Sequence, residues 1–201
     1  MFRRFIIRVL LSPFALIYGL IISFVNISYD IGLLKASKFN LPVIGVGNLS
    51  IGGAGKTPHI EYLIEMLKDY INVATLSRGY KRQTTGFRIV QDSDTAYTAG
   101  DEPMQYRKKY PDIVVAVSEN RAYAIPQIVK QYPQTQTILL DDSFQHRGVK
   151  PGLNILLTSY DSLFTDDYLL PAGRLREWRS GYKRADIIIV TKCPDVIKDT
   201  Q

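Results

Sequence analysis

The chain has 201 residues, 46% of them hydrophobic, which is enough for one α/β core and too few for two. Lysine and arginine number 25 against 19 acidic residues, and the net charge of +6 favours an anionic partner without choosing among phosphates, anionic lipid and nucleic acid. A single cysteine, Cys193, excludes an intrachain disulfide, and only two histidines, His59 and His146, exclude a histidine-rich metal site.

The first forty residues differ in composition from the rest. The stretch 9–29 carries no charged residue, and about 20 apolar residues are enough to cross a bilayer. The stretch is too long for a cleaved signal peptide, and no small-residue cleavage site follows it. Pro13 and Gly19 weaken a simple span, so three alternatives stay open: a spanning helix, a helix or helix pair in the headgroup region, and a buried helix of a soluble protein. We treat residues 1–40 as a membrane-associating segment.

Short apolar runs alternate with helical patterns from residue 41 onward. Buried-type strands that alternate with helices predict an α/β fold with a mainly parallel sheet and helices on both faces. We therefore predict a single core at 41–201. Strands are predicted at 42–47, 72–76, 113–117, 137–140, 154–157 and 186–190, with a short strand or hairpin arm at 86–90, and helices at 57–70, 100–109 and 119–131.

A glycine-rich turn lies between the first predicted strand and the first helix of this core. Its glycines let backbone N–H groups curl around phosphate oxygens, and the helix that follows offers the positive end of its dipole. Lys56 would reach the β- and γ-phosphates and Thr57 would hold Mg²⁺, as in P-loop NTPases. The strict P-loop pattern is missed by one residue, since Ser50 stands where the first glycine falls. The predicted nucleotide-binding residues are Ser50, Ile51, Gly52, Gly53, Ala54, Gly55, Lys56 and Thr57.

Acidic residues follow two later segments. Asp141 and Asp142 end an apolar strand, where a P-loop enzyme needs a carboxylate for Mg²⁺. Asp101 and Glu102 precede a predicted helix, where they are either an N-cap and a first-turn acid or a general base for an acceptor hydroxyl. The predicted metal ligands are Thr57, Asp141, Asp142 and Glu102.

Several arginines lie near the predicted carboxyl ends of strands. Arg78, Arg121 and Arg176 are each placed either to contact a phosphate or to form an ordinary surface ion pair. The segment 191–195 nearly matches a guanine-binding motif, but its aspartate is one residue late, so ATP is favoured over GTP. No platform of aromatic and basic residues supports nucleic acid binding.

Five motifs occur in an order that resembles the tetraacyldisaccharide 4′-kinase family, the lipid A 4′-kinases of Gram-negative bacteria. Each motif is weak alone, and together they cover essentially the whole chain. The family also carries a hydroxyl residue at the position of Ser50. The motifs are 48–58 (NLSIGGAGKTP), 76–80 (LSRGY), 100–103 (GDEP), 141–146 (DDSFQH) and 170–177 (LPAGRLRE).

The resemblance implies a P-loop kinase that transfers the γ-phosphoryl group of ATP, with Mg²⁺, to the 4′-hydroxyl of an acylated glucosamine disaccharide 1-phosphate. It implies a peripheral or monotopic place at the cytoplasmic face of the inner membrane. Asp101 matches the position of the family's catalytic base, so the resemblance favours the general base over the N-cap for this residue. The residues with implied catalytic roles are Asp101, Lys56, Arg78, Arg121 and His146, and those with implied substrate contacts are Gln145, Arg176 and Glu177.

Members of the family continue into a second, smaller lobe whose histidine partners the catalytic aspartate. These 201 residues contain no counterpart of that lobe, so we expect them to correspond to the N-terminal core. The alternative function is a regulatory P-loop ATPase or GTPase at the membrane. Ile51 stands where close relatives of such regulators carry a signature lysine, which argues against it.

Overall fold

The structure is a computed structural model that describes residues 2–195, with side chains from residue 6 onward. One sheet of seven strands organises the core, in the order β3-β4-β2-β5-β1-β6-β7, and every pairing is parallel except that of β3 with β4. The predicted mainly parallel α/β fold is therefore confirmed. The strands are β1 (Val43–Asn48), β2 (Val73–Ser77), β3 (Arg88–Ile89), β4 (Val114–Val117), β5 (Thr137–Asp141), β6 (Leu153–Ser159) and β7 (Ile187–Thr191).

Helices cover both faces of the sheet because successive strand residues point to opposite sides. On β5, Leu139 packs with one cluster of buried residues, whereas Ile138 and Leu140 pack with another. The first cluster includes side chains from the helices at 56–67 and 101–109, and the second includes side chains from the helix at 121–131. The helices are α1 (Phe2–Asp30), α2 (Lys56–Leu67), α3 (Ala96–Ala99), α4 (Asp101–Lys109) and α5 (Arg121–Gln131), with 3₁₀ turns at Phe164–Asp166 and Arg179–Arg184.

Most element boundaries agree with the prediction to within two residues, and α2 is an exception. It ends at Leu67 rather than at Tyr70. The backbone N–H groups of Tyr70 and Ile71 both donate to the Leu67 carbonyl, at 3.0 Å each, so the chain tightens into a turn. The short helix α3 was not predicted, because its four residues carry too little periodicity to be recognised.

Strand order brings the phosphate loop and the acidic strand end together. β1 leads into the loop, and β5 is its direct neighbour, with Val46 in register with Asp141. Since both strands are parallel, their carboxyl ends lie at the same edge of the sheet, where open α/β sheets bind ligands.

Two glycines hold the loop after β2 against the start of α4. Gly79 has φ of +71° and Gly100 has φ of +98°. A Cβ on Gly100 would lie 3.0 Å from the Gly79 carbonyl carbon, so the two backbones pack without room for a side chain. Arg78 precedes Gly79 and Asp101 follows Gly100 in the sequence, so this contact keeps the backbones of Arg78 and Asp101 close together.

We expect Gly100→Ala to destabilise the fold more than Gly86→Ala does. Gly86 also has a positive φ (+80°), but nothing lies within 4 Å of its Cβ position, so alanine there costs only backbone strain of about 1–2 kcal/mol. At Gly100 the added methyl group also meets backbone, which should remove about 1–3 kcal/mol more from the free energy of unfolding. Urea unfolding of the two variants in detergent measures the difference, and equal losses would contradict the close packing.

Helix α1 is one continuous helix that docks through a narrow stripe, so of the alternatives left open above the helix pair is not observed. Trp178 Nε1 donates to the Gly19 carbonyl at 3.1 Å and to Ser23 Oγ at 2.9 Å. The Tyr18 hydroxyl donates to the Arg176 carbonyl at 2.7 Å. The stretch Ile6–Asp30 is long and apolar enough to cross a membrane by length and composition, and only 11% of its most apolar part is buried. Because most of α1 is exposed, it is not a buried helix, and that alternative does not fit the structure.

Candidate active site

The phosphate loop is built from glycines in conformations that other residues rarely adopt. Gly52 has φ of +119°, and Gly55, immediately before α2, has φ of +81°. The left-handed Gly55 turns the chain so that α2 begins at Lys56 with free backbone N–H groups. Ser50, at the position where the P-loop pattern has glycine, is half-buried and forms an antiparallel bridge with Leu175.

The end of β7 closes one side of this loop. The Thr191 hydroxyl donates to the Ala54 carbonyl at 3.0 Å. Lys192 has φ of +57°, and its Nζ lies 3.7 Å from the position that a Cβ on Gly53 would take. The loop, Leu157–Ser159 and Lys192 line a polar cavity of about 260 Å³. The segment singled out as a near-match to a guanine motif thus lies against the phosphate loop.

Lys56 and Arg176 converge on Asp142. Lys56 Nζ lies 3.4 Å from Asp142 Oδ1, and Arg176 donates to both carboxylate oxygens at 2.8 and 3.0 Å. Asn48 completes the group, because its side-chain oxygen accepts from Lys56 at 3.2 Å and from Arg176 at 2.5 Å. Burial acts to raise the pKa of Asp142, but Arg176 and Lys56 outweigh it and hold that pKa far below its usual range. Asp142 is therefore ionised.

Asp141 lies beneath this group and is almost fully buried. The Tyr106 hydroxyl donates to its Oδ2 at 2.9 Å, whereas its Oδ1 is buried without a hydrogen-bond partner in the described structure. Arg121, also buried, donates to the backbone carbonyls of Asp141 and Asp142 at 2.5 and 3.1 Å and so braces the turn between them. Burial lowers the pKa of Arg121 to about 10, which leaves it charged at neutral pH.

The two acids at the start of α4 lie in different surroundings. Glu102 is half-buried, and burial followed by the negative charge of Asp141 raises its pKa, against the opposing charge of Lys56. Asp101 is exposed, and its carboxylate has no hydrogen-bond or ion-pair partner among the residues that the structure describes. Glu102 thus belongs to the acidic group around Asp141, and Asp101 lies free at the neighbouring helix end.

Gln145, His146 and Glu177 form the other side of the site. Gln145 Nε2 donates to the Asn48 carbonyl at 2.8 Å and to Glu177 Oε1 at 3.1 Å. Glu177 is buried and pairs with Arg184 at 2.7 Å, so in this structure it orients Gln145 and Arg184. His146 is half-buried nearby.

We expect His146 to make the fold sensitive to mild acid. Burial, followed by the charges of Arg121 and Arg78, lowers its pKa to about 4, against the opposing charge of Asp142. Since the unfolded chain takes up this proton near pH 6.5, stability is lost as the pH falls from 6.5 towards 4. Replacing His146 by Gln should remove about 1–3 kcal/mol of that loss. Urea unfolding at several pH values measures it, and parallel curves for both proteins would contradict it.

The structure brings most of the predicted site residues to one edge of the sheet. Lys56, Asp142 and Arg176 are in direct contact. Arg78 is exposed and makes no side-chain hydrogen bond in the described structure, but its charge lowers the pKa of both Arg121 and His146. Among the described residues no group of three or more His, Cys, Asp or Glu side chains could by itself hold a metal ion.

Sequence reasoning missed two site residues, Asn48 and Tyr106. Asn48 is the last residue of β1, and this position before the phosphate loop could have indicated it. Tyr106 follows Glu102 by four residues on α4, so both occupy one face of that helix. Tyr106 has neither a charge nor a recognised P-loop role that marks it in the sequence, whereas Asn48 is the first residue of the motif at 48–58.

Comparison with known proteins gives a consistent result. A sequence model of the family described as tetraacyldisaccharide-1-P 4′-kinase matches residues 7–201. Tetraacyldisaccharide 4′-kinase of Flavobacterium johnsoniae is 55% identical over 94% of this chain and 56% of its own length. The protein of the same name from Bacteroides thetaiotaomicron is 53% identical over 94% of this chain and 50% of its own.

A solved structure has the same fold. The crystal structure of LpxK from Aquifex aeolicus in complex with ATP superposes with a TM-score of 0.85 at 42% sequence identity, covering 92% of this chain and 59% of that one. The chain therefore spans about half the length of the curated relatives it matches.

Proposed function

Because the chain belongs to the tetraacyldisaccharide-1-P 4′-kinase family, we propose that it forms the nucleotide-binding core of an ATP-dependent lipid kinase. The reaction would be transfer of the γ-phosphoryl group of ATP to the 4′-hydroxyl of tetraacyldisaccharide 1-phosphate. The observation that carries the proposal is the convergence of Lys56 and Arg176 on Asp142, beside the phosphate loop and above the buried Asp141. Residues 1–40 would be the membrane-associating segment and 41–201 the kinase core.

Residues 50–57 would bind the phosphates of ATP, with Lys56 released from Asp142 to contact the β- and γ-phosphates. This proposal is supported by the ATP complex of the Aquifex aeolicus relative. Magnesium fits the residues present, since the buried Asp141 Oδ1 lacks a partner and Thr57 opens the adjoining helix. Mg²⁺ in nucleotide sites uses one or two carboxylates together with phosphate oxygens and water, so three clustered acids are not required. Bound there, the ion would offset charge on the phosphates, with Asp142 and Glu102 close by.

Asp101 would take the proton of the 4′-hydroxyl while the oxygen of that hydroxyl forms a bond to the γ-phosphorus. The bond between that phosphorus and the β–γ bridging oxygen breaks, and ADP leaves with the electron pair. Arg78 and Arg176 would stabilise charge on the transferred group by electrostatic attraction. Arg121 and His146 would maintain the geometry of the Asp141–Asp142 turn beside the transferred phosphoryl group. Gln145 would contact the acceptor sugar, and the buried Glu177, predicted as a substrate contact, would orient Gln145 for it.

Helix α1 would attach the kinase to the cytoplasmic face of the inner membrane. The proposal is supported by the apolar side chains that α1 exposes, among them Leu10, Phe14, Leu20 and Phe24. A broad exposed apolar surface of this kind marks a membrane or protein interface. The acyl chains of the acceptor could then stay in the bilayer while its sugar reaches the site.

The experiment incubates the detergent-dispersed chain with Mg²⁺ and γ-labelled ATP, with and without the acylated disaccharide 1-phosphate. A parallel reaction adds the C-terminal part of the Flavobacterium johnsoniae relative. Label on the lipid in either reaction supports the proposal. ATP or GTP binding without label on lipid in both reactions contradicts it and favours the regulatory NTPase, and loss of nucleotide binding contradicts both.

A further inference from the structure

Tyr106 of α4 lies in the core beneath the candidate active site. Its side chain is completely buried and belongs to the cluster of buried residues that includes Leu139 of β5 and Ile60 of α2. Asp141 follows Leu139 by two residues on β5, so the two side chains point to the same face of the sheet. The tyrosine ring is therefore held by core packing, and its hydroxyl is the polar end that reaches Asp141.

The Tyr106 hydroxyl distinguishes the two oxygens of the Asp141 carboxylate. It donates to Oδ2 at 2.9 Å, whereas Oδ1 is buried and has no hydrogen-bond partner among the residues that the structure describes. Burial, followed by the negative charge of Asp141, raises the pKa of Tyr106 far above its usual range. The hydroxyl therefore keeps its proton and remains a donor. One carboxylate oxygen is occupied by the tyrosine, and the other is left for a cation.

Two other predicted metal ligands lie near the same hydroxyl. The neighbouring side chain of Thr57 opposes the effect of burial on the pKa of Tyr106, and the charge of Glu102 adds to that effect. Glu102 precedes Tyr106 by four residues on α4, so both side chains lie on one face of that helix. Tyr106 thus lies among predicted metal ligands that come from three separate elements of the fold.

We propose that Tyr106 selects the metal ion by leaving Asp141 a single free oxygen, and the proposal rests on the function proposed above. Mg²⁺ requires nearly octahedral geometry and takes one or two carboxylates with phosphate oxygens and water, whereas Ca²⁺ also accepts both oxygens of one carboxylate in a looser shell. Hydrogen bonds to metal ligands orient them and tune affinity for the metal. A carboxylate with one oxygen held by a buried tyrosine therefore favours Mg²⁺ over Ca²⁺. Tyr106 is a positioning residue, since it acts through Asp141.

Tyr106→Phe tests the proposal, because it removes the hydroxyl and keeps the ring in the core. Metal binding is measured without turnover, as competition of Mg²⁺ or Ca²⁺ with Mn²⁺ followed by electron paramagnetic resonance. The detergent-dispersed chain is kept in excess over a non-hydrolysable ATP analogue. We expect the variant to bind Mg²⁺ about 10–100-fold more weakly, the usual effect of losing a hydrogen-bond partner of a metal ligand. Its affinity for Ca²⁺ should fall less, because the freed Oδ2 can join Oδ1 on that ion.

Tyr110→Phe is the matched control. Tyr110 is also buried and caps the carboxyl end of α4, but its hydroxyl has no hydrogen-bond partner in the described part of the chain. This variant should leave the ratio of Mg²⁺ to Ca²⁺ affinity unchanged. Thermal unfolding of both variants without metal compares their general loss of stability. A purely structural role of Tyr106 would lower both affinities together, so an unchanged ratio in Tyr106→Phe would overturn the proposal.

The unmodified chain gives a second test that does not depend on the folding of a variant. With the ATP analogue bound it should bind Mg²⁺ more tightly than Ca²⁺, and equal affinities would overturn the proposal. The labelled-ATP assay separates this failure from failure of the proposed function. Transfer of label to the lipid with an unchanged ratio in Tyr106→Phe would leave the kinase function intact and remove only the role of Tyr106. An unmodified chain that binds neither the analogue nor metal would overturn both.

Discussion

Replacing Lys56 with Ala is expected to lower the rate of phosphoryl transfer by about 10²–10³-fold, the usual cost of removing one group that stabilises transition-state charge. Lys56 is the cation at the start of α2, and its Nζ is held 3.4 Å from Asp142 and 3.2 Å from the Asn48 side chain. Both partners also contact Arg176, so the lysine is kept in place before nucleotide arrives. The effect is measured as the rate of phosphoryl transfer at saturating Mg²⁺-ATP, and a separate measurement of ATP affinity shows how much of the loss is in binding.

Lys68→Ala is the matched control for loss of a lysine from the same helix region. Lys68 caps the carboxyl end of α2 and pairs with Glu65 at 2.8 Å on the surface. An exposed pair of this kind contributes little, so its removal should leave transfer unchanged. Transfer by Lys56→Ala within about tenfold of the unmodified chain would contradict the role of Lys56.

The strands, helices and phosphate loop could be predicted because their signals are local. β5 is an apolar run that ends in Asp141, and the loop is a glycine-rich segment between a strand and a helix. Parallel pairing then places both at one sheet edge without further information. For the same reason Lys56, at the start of α2, lies beside Asp142 in the structure.

What escaped prediction depends on contacts between distant segments. Tyr106 meets Asp141 across 35 residues of sequence, and Tyr18 meets the Arg176 carbonyl across 158. Such pairs have no periodicity and follow only from the packing of helices on the sheet. An apolar cleft of about 660 Å³ between α1 and the segment 167–180 is the same kind of feature, since these two parts of the chain form it only together.

Asp101 and Glu102, the two adjacent acids of α4, have surroundings that the structure distinguishes and the sequence does not. The sequence places Asp101 and Glu102 together, and their local context alone leaves both a capping role and a catalytic role open. The structure separates them, since Glu102 is half-buried near Asp141 and Asp101 is exposed at the helix end. An exposed carboxylate without a partner is open to an incoming hydroxyl, whereas one beside Asp141 is better placed to help hold Mg²⁺.

Asp101→Asn is therefore expected to lower transfer by about 10²–10⁴-fold, the usual contribution of a general base. The substitution keeps the size of the side chain and its place at the start of α4, so folding and ATP affinity should persist. Glu102→Gln should instead raise the Mg²⁺ concentration that transfer requires. Rates at several Mg²⁺ concentrations, measured for both variants, separate the two roles.

The dependence of the transfer rate on pH tests the opposite assignment, in which Glu102 rather than Asp101 is the general base. Burial and the charge of Asp141 raise the pKa of Glu102. A base must be unprotonated to accept the hydroxyl proton, so if Glu102 were the base, transfer would decline as the pH falls through that raised pKa. Glu102→Gln would then abolish both the activity and this decline, while Asp101→Asn would leave them in place. That result would move the base from Asp101 to its neighbour and keep the rest of the site unchanged.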